Sequence, residues 1–226
     1  MPFISFKDVS KSYKMNYGEI HPLQNITLTI NKHEKVAIMG ASGSGKTTLL
    51  SLLGCLDKPS EGEYFFEGKP VHTWSDYYLS AIRGKEIAYM FQDFQLISEM
   101  TVLENVMMPF RYKDVDYSVA LAKSILALKK VKLDHRLDHY PYEISGGEMQ
   151  RVAFARAIAF SPSLILADEP TGNLDANTAR EILDLLFKAN VDGTTVIVVT
   201  HDENLSKLFP RIIRLKEGKV ISDVST

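Results

Sequence analysis

KVAIMGASGSGKTTLL, residues 35–50, decides the fold. Lys35-Val36-Ala37-Ile38-Met39 is an apolar, strand-forming run, and it leads without a spacer into Gly40-Ala41-Ser42-Gly43-Ser44-Gly45-Lys46-Thr47, which opens a Leu-rich helix. Strand, glycine loop and helix in that order are the context in which G-x-x-x-x-G-K-[ST] acts as a phosphate-binding loop. The glycines let backbone N–H groups turn inward around an anion, the Lys46 ammonium neutralises phosphate charge, and the Thr47 hydroxyl is a hard oxygen donor suited to Mg²⁺.

Outward from this unit, Ile26-Thr27-Leu28-Thr29-Ile30 alternates like a half-buried strand, and Met1 to Lys7 also reads as a strand. Ser163 to Ala167 and Thr194 to Thr200 are apolar on both faces, as parallel strands covered by helices must be. The fold class is therefore α/β. Between these strands the period turns helical: Val102-Leu103-Val106, then Val119-Leu121-Ala122-Ile125-Leu126-Leu128, then a helix starting near Gly146. This predicts a helical insert. Arg211 to Val220 reads as two short strands around Glu217-Gly218.

With 226 residues the chain can bury one sizeable core, and a formal charge of −2 gives no general pull towards nucleic acid. One cysteine, Cys55, excludes an internal disulfide and is expected at a buried helix position. No uncharged run approaches the roughly 20 residues a membrane helix needs, and the start lacks the basic and apolar regions of a signal peptide.

Two further segments carry chemistry. Leu164-Ile165-Leu166-Ala167-Asp168-Glu169-Pro170 is an apolar strand ending in two carboxylates, and open α/β sheets bind ligands beyond the C-terminal ends of their strands. Asp168 is placed to help hold Mg²⁺, and Glu169 to accept a proton from an attacking water. Ile144-Ser145-Gly146-Gly147-Glu148-Met149-Gln150-Arg151 opens a helix, and Ser145 with Glu148 fits a capping box. A box alone has no use for two glycines in the first turn, each costing up to about 1 kcal/mol against alanine. Close approach to a bare helix start, a second phosphate contact, is the functional reading.

With the Ser-Gly-Gly segment and the phosphate loop together, the sequence resembles the ATP-binding-cassette (ABC) ATPases over nearly its whole length. The resemblance implies a single ATP-hydrolysing domain over 1–226: a P-loop NTPase core with a parallel sheet, an N-terminal antiparallel β part, and a helical subdomain at about 95–160. It implies ATP and Mg²⁺ as ligands. Gly40, Ala41, Ser42, Gly43, Ser44, Gly45, Lys46, Thr47 and Thr48 would hold the nucleotide, with Tyr13 as the aromatic that stacks on adenine, although Tyr17 lies close by. Thr47, Gln92 and Asp168 would meet the metal, and Glu169, His201, Lys46 and Gln92 would serve hydrolysis. In this family two copies face head to tail, so Ser145, Gly146, Gly147 and the interface residue Asp175 would serve the partner copy's nucleotide. Small departures are His33 where a turn glycine is frequent, Ile144 for leucine and Met149 for glutamine.

The 97 residues between Thr47 and Ser145 leave no room for the coiled-coil insert of DNA-repair relatives, and a single phosphate loop differs from the paired cassettes of translation-type relatives. Phe91 to Ile97, Met100 to Val106 and Thr171-Gly172-Asn173-Leu174-Asp175 look like the group serving lipoprotein release, macrolide export and bacitracin-type peptide resistance, with Ser98 replacing a frequent proline. Members pair with a separate membrane permease, which implies a homodimer at the cytoplasmic face of the membrane, peripheral through that permease. A cell-division regulator of related design and a non-transport ATPase remain open alternatives.

Overall fold

The computed structural model describes residues 1–172 and 174–225. Two compact units emerge, one built from residues 1–83 and from Thr195 onward, the other from 84–194. The first begins with β1 (Ile4–Met15) and β2 (Gly18–Ile30), a long antiparallel pair, followed by β3 (Lys35–Met39) and α1 (Lys46–Leu53). β4 (Glu61–Phe66) and β5 (Lys69–Pro70) complete an antiparallel sheet of order β2-β1-β4-β5, and α2 (Asp76–Glu86) follows. Phe3, Phe6, Tyr64 and Phe66 are fully buried and pair edge to face or tilted, at 4.6 Å for Phe6 and Tyr64 and 4.9 Å for Phe3 and Phe66. Aromatic alternation on one face thus gives this sheet its core.

The second unit contains β6 (Ile87–Met90), α3 (Val102–Met107), α4 (Tyr117–Lys130), α5 (Gly146–Ile158), β7 (Leu164–Asp168) and α6 (Ala176–Val191). β6 and β7 pair in parallel, Ile87 opposite Leu164 and Met90 opposite Ala167. α3, α4 and α5 pack on one another through Val102, Val106, Ala120, Leu128, Val152 and Phe154, all buried. Thr101 and Glu104 close a capping box at the start of α3, and buried Asn105 sends its amide to the carbonyls of Ile97, Met100 and Thr101, each at 3.0 Å. One buried amide thereby satisfies the backbone of a loop that has no ladder of its own.

The chain returns to the first unit as β8 (Thr195–Thr200), α7 (Glu203–Ser206), β9 (Arg211–Lys216) and β10 (Lys219–Ser225). β3 lies between β8 and β9, parallel to both, with Met39 opposite Thr200 and Arg214. Val36, Ala37 and Ile38 are fully buried, as are Val196 to Val199, so the two-sided apolar runs are interior parallel strands. The fold is α/β with parallel strands, an antiparallel N-terminal sheet and a helical part.

Two expectations shift. Cys55 is buried, but it lies beyond the end of α1 at φ 53°, not within the helix; Gly54 is the C-cap. The C-terminal hairpin is longer than the sequence suggests, β10 running to Ser225. His33 adopts φ 64°, the left-handed conformation that explains why glycine would be favoured there.

Candidate functional site

The phosphate loop leaves β3 at Gly40 and turns through left-handed Gly43 (φ 77°) and Gly45 (φ 100°). Gly45 is the N-cap of α1 and supplies no side-chain cap, and the first turn carries no acidic residue, so the helix start presents bare N–H groups. Lys46 is buried and arcs back over the loop, donating to the carbonyls of Gly40 (2.8 Å) and Ala41 (2.9 Å). The Ser44 hydroxyl is buried and has no hydrogen-bond partner among the described residues. An unsatisfied hydroxyl, a buried ammonium and an uncapped helix start form a donor-rich cradle, and this donor set fits a polyphosphate.

The surrounding backbone fixes the loop's shape. A Cβ on Gly40 would stand 2.5 Å from the Leu215 carbonyl oxygen, and one on Gly45 would stand 2.3 Å from that of Pro22. The turn between β9 and β10 clamps the loop directly: Gly218 N–H donates to Ser44 O at 3.1 Å, while its carbonyl accepts from Gln24 N at 2.8 Å. The sequence marks Gly218 only as a turn residue, and its hold on residue 44 carries no local signal. His201 follows β8 where Thr200 pairs with Met39, so His201 and Gly40 leave neighbouring strand ends.

Tyr13 lies on β1, half-buried, and its hydroxyl donates to Asp57 Oδ2 at 2.8 Å. Tyr17, the neighbouring candidate, is fully exposed. Burial, then the Asp57 bond and charge, push the Tyr13 phenol up to about 12, although the Thr48 hydroxyl, hydrogen-bonding the same phenol, works the other way. Thr48 in turn sits in the first turn of α1, beside Thr47.

In the second unit Gln92 and the pair Asp168–Glu169 also leave adjacent strand ends, because Met90 pairs with Ala167. The Gln92 amide nitrogen and Glu169 Oε2 lie 3.5 Å and 3.6 Å from the point where a Gly172 Cβ would stand, so they share one small space. Glu169 itself adopts φ 45°, a strained conformation for a non-glycine. The loop after Gln92 is strained too, with Phe94 at φ 59° and Gln95 at φ 50°. Buried Arg156 of α5 donates to both of their carbonyls, at 2.8 Å and 2.6 Å, and so joins this loop to the helix opened by Ser145. No sequence pattern points to Arg156, since its partners are backbone atoms 61 and 62 positions away.

The Ser145–Glu148 capping box is present: Glu148 N–H donates to Ser145 Oγ at 3.3 Å, and Ser145 N–H to Glu148 Oε2 at 2.9 Å. The bond from the Ser145 backbone holds the Glu148 carboxyl below its usual range, with the Ser145 hydroxyl, Arg136 and Arg151 acting in the same direction. The two glycines that follow differ. A Cβ on Gly147 would meet Thr178 Cγ2 at 2.8 Å, so packing against α6 accounts for that glycine. On Gly146 it would meet, among the described residues, only Phe94 Cζ, at 4.0 Å, and none of them forbids a side chain. Thr178 also donates to Asp175 Oδ2 at 2.6 Å, and Asp175 caps α6, so Gly147, Thr178 and Asp175 form one cluster. The bonds from Thr178 hold the Asp175 carboxyl below its usual range. Asn173 of the expected Thr171–Asp175 motif lies outside the described residues.

Among the described residues no group of three His, Cys, Asp or Glu could hold a metal ion alone. No helix among the described residues is long and apolar enough to cross a membrane.

A phosphate loop between a buried parallel strand and an uncapped helix defines a nucleotide-binding α/β protein of the P-loop class. The ABC transporter family model matches residues 23–172, and the chain belongs to that family. It is an ATPase subunit of the ABC type. It is 47% identical to the ABC transporter ATP-binding protein MJ0796 of Methanocaldococcus jannaschii, over 96% of this chain and 94% of that one. It is 42% identical to the lipoprotein-releasing system ATP-binding protein LolD of Bdellovibrio bacteriovorus, over 94% of this chain and 97% of LolD. With the macrolide export ATP-binding/permease protein MacB of the same organism it shares 44% identity over 97% of its length but only 34% of MacB's. A dimeric, post-hydrolysis structure of MJ0796 bound to ADP and Pi superposes with a TM-score of 0.90 at 43% identity, covering 98% of each chain.

Proposed function

We propose that the chain is the motor subunit of an exporter or extractor of peptides, lipoproteins or drugs, working as a head-to-tail pair on a separate membrane permease. The observation that carries the paired arrangement is Gly146: a glycine at a capped helix start that no contact among the described residues requires. The dimer of MJ0796 supports the same reading, and LolD and MacB support the export group.

In this reading Gly40 to Thr48 wrap the phosphates of ATP, with Lys46 neutralising charge and Ser44 Oγ gaining its missing partner. Thr47, Gln92 and Asp168 hold Mg²⁺, which supplies charge neutralisation at the phosphates when bound. Glu169 accepts the proton of the attacking water, Gln92 orients that water, and His201 senses the terminal phosphate. Ser145, Gly146, Gly147 and Asp175 serve the partner copy's nucleotide. Attachment to the permease places the subunit at the cytoplasmic face of the membrane.

The test is ATPase activity against protein concentration, alone and with the permease recovered by co-purification from solubilised membranes. Activity that rises faster than linearly, or only with the permease, and that Glu169→Gln abolishes while ATP binding persists, is the expected result. A fully active monomer, or unchanged turnover in Glu169→Gln, refutes it.

A further inference from the structure

Lys11, Asp57 and Tyr13 form a connected cluster that the pairing of β1 with its neighbours does not need. Lys11 is a buried ammonium, and it donates to Asp57 Oδ1 at 2.6 Å and to the Lys58 carbonyl at 2.8 Å. The other carboxylate oxygen, Oδ2, receives the Tyr13 hydroxyl, and Lys58 N–H donates to Oδ1 at 2.7 Å. Burial works to raise the Asp57 carboxyl, but the bonds from Lys11, Tyr13 and Lys58 outweigh it and keep the group ionised at neutral pH.

The segment that carries Asp57 is already fastened to β1 without this cluster. Ser60 N–H donates to Ser10 O at 2.9 Å, and Ser12 N–H donates to Ser60 Oγ at 3.0 Å. Burying an ammonium is costly unless it is well paired, and a purely structural tether here would be redundant. What the cluster adds is orientation. The phenol is held by Asp57, which belongs to the segment just after α1, so ring position is set from the stretch of chain that follows the phosphate-loop helix. The Lys11 ammonium sits over the Tyr13 ring, 4.8 Å from its centre.

We infer that Lys11 and Asp57 are positioning residues of the nucleotide site, fixing the Tyr13 ring as a rigid platform for the adenine base in register with the phosphate loop. This rests on reading Tyr13 as the base-stacking residue. The platform is then ordered before nucleotide arrives, and binding does not have to freeze a loose ring.

The test is a double-mutant cycle in the full chain, with affinity for ATP and for inorganic tripolyphosphate measured by calorimetry. Tyr13→Ala should weaken ATP about tenfold, as loss of one base–aromatic stack does. Asp57→Ala should weaken it several-fold, and the double variant should match Tyr13→Ala, because Asp57 acts only through the ring. Tripolyphosphate, which has no base, should bind equally to all four proteins, and this also verifies that the loop is folded. Tyr13→Phe provides a milder variant: it keeps the ring, breaks the Asp57 bond, and should fall between wild type and Tyr13→Ala. Additive losses, or weaker tripolyphosphate binding in Asp57→Ala, overturn the inference while leaving Tyr13 as the platform. No loss of ATP affinity in Tyr13→Ala overturns the platform reading itself, and the positioning role with it.

Discussion

Gly146 and Gly147 stand side by side in the first turn of α5, yet the structure assigns them different reasons for being glycine, and alanine substitution separates these reasons. At Gly147 an added Cβ lands 2.8 Å from Thr178 Cγ2, closer than real Cβ contacts come, so α6 or the helix start must shift. Overpacking of this kind costs about 1–3 kcal/mol, a fall in Tm of several degrees for a chain of this size. Thr178→Ser deletes the offending methyl and keeps the hydroxyl that bonds Asp175, so the pair Gly147→Ala/Thr178→Ser should recover most of that stability. At Gly146 the Cβ meets nothing among the described residues nearer than 4.0 Å, and alanine is the better helix former by up to about 1 kcal/mol. Gly146→Ala should therefore leave Tm unchanged or raise it by a few degrees. If a second copy's phosphates approach that backbone, the same methyl obstructs them, and steady-state ATPase should drop at least about tenfold, equivalent to ~1.4 kcal/mol. Thermal melts and ATPase assays on the four variants read both quantities. Full activity in Gly146→Ala would remove the reason for placing another molecule against this helix start.

Three other perturbations have definite signs. Burial, with Lys123 and Lys85 adding repulsion against a partial offset from Glu86, pushes the Lys113 ammonium down to about 8, so between pH 8 and the ordinary lysine range the unfolded chain binds a proton the folded chain has released. Stability should rise with pH across that window, and urea melts of Lys113→Met should show the slope flattened; an unchanged slope refutes the assignment. His33→Gly relieves a left-handed backbone at φ 64°, worth about 1 kcal/mol, and should raise Tm by a few degrees with activity intact, whereas a lower Tm would show that the imidazole's own contacts outweigh the strain. Arg156→Leu strips the donors from the Phe94 and Gln95 carbonyls and should destabilise by about 2–4 kcal/mol in denaturant melts, with near-wild-type stability refuting the clamp.

What the sequence displays is what repeats or punctuates locally. β3, β7 and β8 stand out because both faces are apolar, and α3, α4 and α5 because their buried positions recur at helical spacing. α2 escapes notice since only Leu79 on it is buried, leaving Asp76 to Glu86 without a periodic stripe. Gly54 is a legible stop signal for α1, but the apolar run through Leu56 hides it and carries Cys55 wrongly into the helix. Within the candidate site, the loop residues announce themselves by type and spacing. Their supports do not: Gly218, Arg156 and Asp57 act through backbone carbonyls or a single hydroxyl far along the chain, and such partners have no signature before the chain is folded. The same distance hides the difference between Gly146 and Gly147, which depends on one methyl of Thr178.

The clamp of Gly218 on Ser44 bears on how the protein is made. The phosphate loop emerges from the ribosome well before two of the backbone groups that shape it, Leu215 O and Gly218 N–H, which come from the hairpin of β9 and β10. Closing that span is a late, long-range event in folding. A growing chain therefore carries all the residues of the phosphate loop without its finished geometry, and grip on nucleotide is deferred until the hairpin of β9 and β10 is in place.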